Sequence, residues 1–289
     1  MEKEILKKLH EDTIGPNAPD VATIDEIVNI GKLFQLTTIP SLGKSIFPIL
    51  PLHGPTGALF GIRNKADKSG FELIRKNFEV FPSVTINTKI TKEVISDIYN
   101  QFGEDGVKTT IKFLRGLANE QENIKTIEFL NANCLPVNNL TLSMLKNAET
   151  VVFEVSKYVN ELIARANIPT FKTISGFSVL PYKVGAAFAA INSMFRDNRN
   201  QSALFLHEIG NVKYFLNPDV NTNTAYVGLL DFEEPIKSAG IFSPFKTNIF
   251  TATDPDSGQE VYFIYNRFAI TASPFHEPGT EMMFKFDIL

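Results

Sequence analysis

The chain has 289 residues, and its 28 lysine and arginine residues against 32 aspartate and glutamate residues give a formal net charge of −4. Hydrophobic residues make up 44% of the chain and charged residues 21%, which is typical of a folded globular protein and excludes a disordered or collagen-like chain. The acidic balance argues against a protein whose main task is to grip nucleic acid, but it allows a container that holds nucleic acid loosely. The single cysteine, Cys134, excludes an internal disulfide.

The N-terminal region is predicted to contain two short helices, at Glu2–Glu11 and at about Thr23–Phe34. A segment from Ile39 to Pro55 follows, which is apolar but interrupted by four prolines. Because proline cannot donate to an interior sheet, we expect an extended arm that lies across another surface of the same or a neighbouring molecule. The first thirty residues show no signal-peptide pattern, and no run of about 18 apolar residues predicts a membrane span.

Alternating apolar residues from Gly57 to Ile90 predict a long two-stranded hairpin with a polar tip at Asn64–Gly70. A hairpin alone is marginally stable in water, so we expect this one to lean on a partner. The hairpin also carries a group of basic residues, which are either solvated flanks or partners of acidic residues on a neighbouring subunit. These are Arg63, Lys65, Lys68, Arg75 and Lys76.

The middle of the chain is predicted to be helical. One stretch runs from Lys92 to about Asn133, interrupted or kinked at Gly103 and Gly106, and a second long helix follows a cap at Thr141. The strand predictions are Phe171–Leu180, Ala203–Glu208, Val212–Leu216, Thr224–Leu230, Ala239–Phe242, Lys246–Ala252, Glu260–Ile270 and Met282–Ile288. The chain is therefore predicted to have an α+β fold.

Candidate chemical motifs are all incomplete. Leu42-Gly43-Lys44-Ser45 lacks the glycine that a phosphate loop needs five positions before Gly43. The carboxylates of Asp254, Asp256 and Glu260 do not follow the spacing of a calcium loop, and no two histidines stand at metal-ligand spacing. We therefore predict no catalytic residue, no cofactor and no metal, and we do not expect an enzyme.

Several short strings occur in an order that resembles a known family. Phe47–Arg63 contains the turn Pro51-Leu52-His53-Gly54-Pro55-Thr56-Gly57 before a strand that ends in arginine. Farther along the chain come Val212–Pro218, Tyr226–Gly228, Ala239–Phe245 and Ser273–Phe275. This order resembles the major capsid proteins of T-even-type myoviruses, over roughly Phe47 to Phe275.

The resemblance implies an HK97-like capsid fold. Residues 1–56 would be the N-terminal arm and 57–90 the extended E-loop hairpin. Residues 91–136 and 225–270 would form the peripheral domain with its long spine helix, and 137–224 and 271–289 the axial domain. The family's inserted surface domain would be absent, because the chain is shorter than the T-even capsid proteins. Ile24-Asp25-Glu26 is similar to the family's site for a maturation protease.

The resemblance also implies a structural function. The chain would assemble with copies of itself into hexamers and pentamers, forming the icosahedral head shell of a tailed phage around double-stranded DNA that it contacts loosely. Further partners would be vertex, portal, scaffold or decoration proteins, with no membrane, and the location would be the virion capsid, assembled in the host cytoplasm. The predicted assembly contacts are Phe47, Leu50, Leu52, Arg63, Lys65, Lys68, Arg75 and Lys76.

Three alternatives remain open at this point. The same fold would also serve an encapsulin-like nanocompartment shell or a specialised capsid vertex protein. The third alternative is a small-molecule enzyme on an unrelated α+β fold, whose best feature is the glycine-rich turn from Gly54 to Gly61.

Overall fold

A computed structural model describes residues 40–64, 70–103, 105–141, 148–166, 175–185, 204–255 and 259–289. The helices in these ranges are α1 (Leu42–Ile46), α2 (Lys92–Phe102), α3 (Gly106–Asn133) and α4 (Ala148–Ala166), with a 3-10 helix at Pro235–Lys237. The strands are β1 (Thr56–Asn64), β2 (Phe71–Glu79), β3 (Val84–Ile90), β4 (Leu135–Pro136), β5 (Ser175–Leu180), β6 (Phe205–Ile209), β7 (Val212–Leu216), β8 (Thr224–Leu230), β9 (Gly240–Thr253), β10 (Glu260–Ala272) and β11 (Met283–Asp287). The predicted helices and the predicted protease site within residues 1–39 lie outside the described residues.

The described strands form three sheets. One is the hairpin β1-β2, the second has the order β3-β10-β9, and the third has the order β4-β11-β8-β5-β7-β6. The predicted α+β class is confirmed.

The strand β3 lies inside the range predicted for the hairpin, but it pairs with β10 instead. Pro82 follows β2 and has no N–H to donate, so the hairpin ladder cannot continue through it. Just before this proline, the N–H of Phe81 donates to the carbonyl of Phe268 in β10 at 2.9 Å. The chain therefore leaves the hairpin after Glu79.

The chain divides into two compact units, and the larger one comprises residues 40–85, 118–248 and 264–289. The core of this unit contains the six-stranded sheet, in which β5 runs parallel to β7 and antiparallel to β8. One side of α4 is buried, as the side chains of Val151, Val155 and Val159 show. A Cβ on Gly176 would come 2.8 Å from the Val159 side chain, so glycine lets the helix approach the sheet closely.

The smaller unit contains residues 86–117 and 249–263 among those that the structure describes. Helix α2 begins at its cap, Thr91, whose hydroxyl accepts the N–H of Val94 at 3.2 Å. It ends at Gly103, which has the left-handed conformation with φ of 66°. A Cβ on Gly106, the first residue of α3, would come 2.8 Å from the backbone of Ile95. The predicted interruption at these two glycines is confirmed.

Candidate assembly surface

The hairpin β1-β2 has two faces with different surroundings. Its strands pair antiparallel over nine residue pairs, from Thr56 opposite Glu79 to Asn64 opposite Phe71. Because successive side chains point to opposite faces of a strand, every second pair lies on the same side.

The outward face of the hairpin is apolar and open to solvent. Four side chains are 48–75% exposed, and we call them the apolar hairpin face: Phe60, Ile62, Phe71 and Leu73. Ile62 lies directly opposite Leu73, and the guanidinium of Arg75 lies 5.6 Å from the centre of the Phe60 ring. A cluster of this kind on a strand pair is typical of a surface that another protein covers.

The inward face rests on the chain's own larger unit. Leu59 is buried, and a Cβ on Gly61 would come 2.8 Å from the ring of Phe275 and 3.2 Å from Pro274. This glycine and Gly57, where a Cβ would come 2.6 Å from the ring of Phe78, therefore serve close packing. A ligand-binding role for the glycine-rich turn has no support in this geometry.

An ion pair holds the hairpin's inward face to the segment after β10. Arg63 Nη1 donates to Glu277 Oε2 at 2.8 Å, and Arg63 Nε donates to Glu72 Oε2 at 3.1 Å. These two hydrogen bonds, first that of Glu277 and then that of Glu72, raise the pKa of Arg63. The alternative that Arg63 pairs with an acidic residue on a neighbouring subunit therefore needs correction, because Glu277 and Glu72 of its own chain accept its hydrogen bonds.

Two further titratable groups lie beneath the hairpin. Burial lowers the pKa of Lys76, although the charge of Glu277 opposes this. Burial, and secondly the charge of Lys76, also lower the pKa of His276. His276 Nδ1 accepts the N–H of Met282 at 3.0 Å, which requires an unprotonated Nδ1. The amine of Lys76 and the ring of His276 are thus kept partly out of water, which disfavours the protonated form of each.

The segment that leads into the hairpin is better covered than the sequence predicts. Its first part is the short helix α1 rather than an extended chain, and Leu42, Ile46 and Phe47 in this part are fully buried within their own unit. From Pro48 on, the chain is extended beside β9: the N–H of Leu50 donates to the carbonyl of Phe242 at 2.9 Å. The expectation of an extended arm is therefore wrong for α1, whereas residues 48–52 lie extended across another surface of the same molecule, with Ile49 and Leu50 exposed.

The predicted contact residues fall into three groups. Phe47 is a core residue here, with its ring 5.6 Å from the rings of both Phe129 and Phe177, so its side chain is not available to a partner. Lys65 and Lys68 lie outside the described residues. The remaining residues lie at or near the surface on or beside the hairpin: Leu50, Leu52, Arg63, Arg75 and Lys76.

The apolar hairpin face is not among the predicted assembly contacts. The prediction that the hairpin leans on a partner did not name the residues that the partner would cover, which are Phe60, Ile62, Phe71 and Leu73. The signal was present, because both strands carry bulky apolar residues at alternate positions, on the side opposite Leu59 and Ile74.

The described residues offer little for catalysis. Among them, no group of three or more histidine, cysteine, aspartate or glutamate residues could hold a metal ion. Cys134 is buried, and burial raises the pKa of its thiol, which disfavours a nucleophilic thiolate. In α1, Lys44 pairs with Glu122, and the N–H of Leu42 donates to Asn123, so these groups do not form a phosphate loop. None of the helices that the structure describes combines the length and apolar character needed to cross a membrane.

Solved structures share this fold. The virus-like particle of Pyrococcus furiosus has a TM-score of 0.54 at 12% identity, covering 89% of this chain and 97% of that one. A structure from Microbacterium phage Oxtober96 has a TM-score of 0.54 at 8% identity, covering 96% of both chains. The capsid of Cyanophage P-SCSP1u has a TM-score of 0.51 at 6% identity, covering 96% of this chain and 92% of that one.

No protein-family model matches the sequence, and no curated protein matches it either. At the low identities above, structural similarity defines the fold. The chain has an HK97-like capsid fold, and the prediction that the family resemblance gave is confirmed at this level.

Proposed function

We propose that this chain is the major capsid protein of a tailed phage, which assembles with its own copies into hexamers and pentamers and so into an icosahedral shell around double-stranded DNA. The observation that carries the proposal is the apolar hairpin face, exposed on a chain with an HK97-like fold. The E-loop hairpin would end at Glu79, within the predicted range 57–90, because β3 belongs to another sheet. Residues 1–56 would be the arm, 91–136 and 225–270 the peripheral domain, and 137–224 and 271–289 the axial domain.

The chemistry of this function is association. Complete burial of an apolar side chain is worth about 1.5–3 kcal/mol, and the four side chains of the apolar hairpin face are 48–75% exposed, so covering them is worth roughly 4–8 kcal/mol in total. Association itself costs about 4–15 kcal/mol, so a single hairpin contact is weak. A closed ring, in which every subunit gives one such contact and receives another, converts weak contacts into a stable and correctable assembly.

The partners follow from the same proposal. Copies of the chain come first, and vertex, portal, scaffold or decoration proteins complete the particle. The net charge of −4 is compatible with DNA that is enclosed and loosely contacted. The protein would be located in the virion capsid after assembly in the host cytoplasm.

The proposal is tested by the assembly state of the purified full chain. We expect rings or closed shells in electron micrographs, and a sedimentation profile that shifts to large species as the concentration rises. A protein that stays monomeric at high concentration, with and without a scaffold protein from the same genome, would contradict it.

A second candidate function is a nanocompartment shell on the same fold. It is kept because the fold is shared with a virus-like particle from a cellular organism, Pyrococcus furiosus, over 97% of that chain. Particles purified from an expressing cell decide between the two functions. Packaged genomic DNA supports the phage capsid, and an enclosed protein cargo without DNA supports the compartment.

A further inference from the structure

A carboxylate is buried in the larger unit, in the middle of α3. Glu122 is only 2% exposed, and its Oε1 accepts hydrogen bonds from Lys44 Nζ at 3.0 Å and from Asn266 Nδ2 at 2.9 Å. Lys44 Nζ also lies 2.9 Å from Oε2, and the lysine side chain itself is 39% exposed. The two partners therefore differ in hydration. The ammonium group of Lys44 still reaches water, whereas the charge of the buried Glu122 carboxylate is compensated only by groups of the protein.

The residues next to this pair hold the backbone of α1 in the same place. The N–H of Leu42 donates to Asn123 Oδ1 at 2.7 Å, and Asn123 Nδ2 donates to the carbonyl of Pro40 at 3.1 Å. A Cβ on Gly43 would come 2.7 Å from the hydroxyl of Thr126. Residues 40 to 44 thus contact a small group of α3 side chains, those of Glu122, Asn123 and Thr126.

The ion pair is not needed to bury α1. The side chains of Leu42, Ile46 and Phe47 are already fully buried, and they supply the apolar area that holds the helix on the larger unit. Buried ion pairs are often no more stable than apolar residues of similar volume, because desolvation offsets the attraction. Stability therefore does not explain why Glu122 and Lys44 are charged residues, and another role is expected for the pair.

The ion pair between Lys44 and Glu122 specifies the position of α1 along α3. If α1 moved along α3 by one residue, Gly43 or Ser45 would take the place of Lys44, and Glu122 would stay buried without a cation. Uncompensated buried charges are strongly unfavourable, so such a shift is excluded. An apolar contact alone would tolerate it much better.

We propose that Glu122 and Lys44 set the register of the segment that carries the hairpin. Residues 48–52 continue from α1 and run beside β9, where Leu50 and Leu52 donate to the carbonyls of Phe242 and Pro244 at 2.9 and 3.0 Å. Four residues later β1 begins. The ion pair thereby fixes the position of the apolar hairpin face relative to the rest of the larger unit. The effect of this position on assembly rests on the proposed function.

The test replaces both charges by apolar side chains of similar length. We expect the variant K44M/E122M to fold, with a folding equilibrium constant within about a hundredfold of the wild type, because Asn266 Nδ2 loses its buried acceptor. The amides of Leu50 and Leu52 should exchange with solvent faster than in the wild type, by a factor at least ten times larger than for the amides of β8 in the same unit, and regular particles should be lost. A double variant with wild-type exchange rates at both amides would overturn the proposal.

Single variants and a control sharpen the test. K44M leaves Glu122 buried without its cation, so we expect the folding equilibrium constant to fall roughly a hundredfold or more. E122Q keeps the shape and the acceptor for Asn266 and is expected to fold, with faster exchange at Leu50. Wild-type exchange in E122Q would also overturn the proposal, even if the double variant did not fold.

The matched control is the pair Lys125–Glu128, an exposed ion pair on the same helix with a distance of 2.7 Å. The variant K125M/E128M should change neither the exchange of Leu50 nor the assembly. If the wild type itself forms no particles, the proposed function fails, whereas the exchange experiment still decides whether the ion pair sets the register.

Discussion

Arg63 and Glu277 are 214 positions apart in the sequence, yet Nη1 of the arginine donates to Oε2 of the glutamate at 2.8 Å. The contact joins β1 to the segment after β10, and it lies on the side of the hairpin opposite to the apolar hairpin face. The body of the chain therefore holds the inward face of the hairpin while the outward face stays free for a partner.

The first prediction concerns the apolar hairpin face. The variant I62T/L73T places a β-branched residue in each strand, as strands favour, but removes apolar area from two directly opposed positions. Because both side chains are exposed, we expect the free energy of unfolding to change by less than about 0.5 kcal/mol and the formation of particles to be lost. Chemical denaturation and electron microscopy measure the two effects.

The matched control for this variant is V220T. Val220 is 64% exposed on a loop between β7 and β8, away from the hairpin strands. The variant V220T should assemble as the wild type does. Normal particles from I62T/L73T would mean that the hairpin does not carry the association.

The second prediction concerns the ion pair between Arg63 and Glu277. Both partners are partly exposed, and exposed pairs contribute little, so the variant E277Q should lower the free energy of unfolding by at most about 1 kcal/mol. Its effect should appear instead as faster hydrogen exchange at backbone amides of β1, because the hairpin loses one of its attachments. A loss of several kcal/mol, or unchanged exchange, would contradict this account.

The sequence predicts local structure well wherever local chemistry decides it. The strands β7 and β8 have their predicted boundaries, and the two glycines between α2 and α3 interrupt the helix as expected. The resemblance to capsid proteins also led to the correct fold, although the identity to the solved structures above is only 6–12%.

Features that depend on long-range contacts could not be predicted in this way. The sequence left open whether Arg63 is solvated or pairs with an acidic residue, and it could not identify Glu277 as the partner, because nothing local links the two residues. Likewise, the burial of Phe47 depends on Phe129 and Phe177, which come from distant elements. The distinction between a covered α1 and an exposed Leu50 follows from such tertiary packing rather than from composition.

The third prediction concerns Gly61. An alanine there would place its Cβ 2.8 Å from the ring of Phe275, so either the ring or the hairpin must move. We expect the variant G61A to lose about 1–3 kcal/mol of stability. The control is G54A, because the nearest atom to a Cβ at Gly54 is 3.8 Å away, and it should be tolerated. Equal stabilities from denaturation curves of the two variants would contradict the close packing.

The fourth prediction concerns the thiol of Cys134. Burial raises its pKa, so the reactive thiolate is scarce in the folded protein. We expect an alkylating reagent at pH 8 to modify it only after the addition of denaturant, as measured by mass spectrometry. Rapid labelling of the native protein would show that this part of the core opens readily.

The fifth prediction concerns the pH dependence of stability through His276. Burial and the charge of Lys76 lower its pKa in the folded state below the unfolded value of about 6.5. Folding therefore favours the neutral ring, whose contribution to stability is fully present above about pH 6.5 and is lost as the pH falls below that value. Protonation would also abolish the hydrogen bond that Nδ1 accepts from the N–H of Met282.

Several groups face this ring: Lys76 from β2, Glu281 from the histidine's own segment and the backbone of Asn133 from α3. Since carboxylates elsewhere also reduce stability in acid, the informative quantity is the difference between variants. We expect the free energy of unfolding of H276Q to fall less steeply between pH 7 and 5 than that of the wild type, by up to about 1.4 kcal/mol per pH unit. The variant K76M, which removes the repelling cation, should also reduce the acid loss. Parallel pH profiles for all three proteins would rule out His276 as the group that titrates.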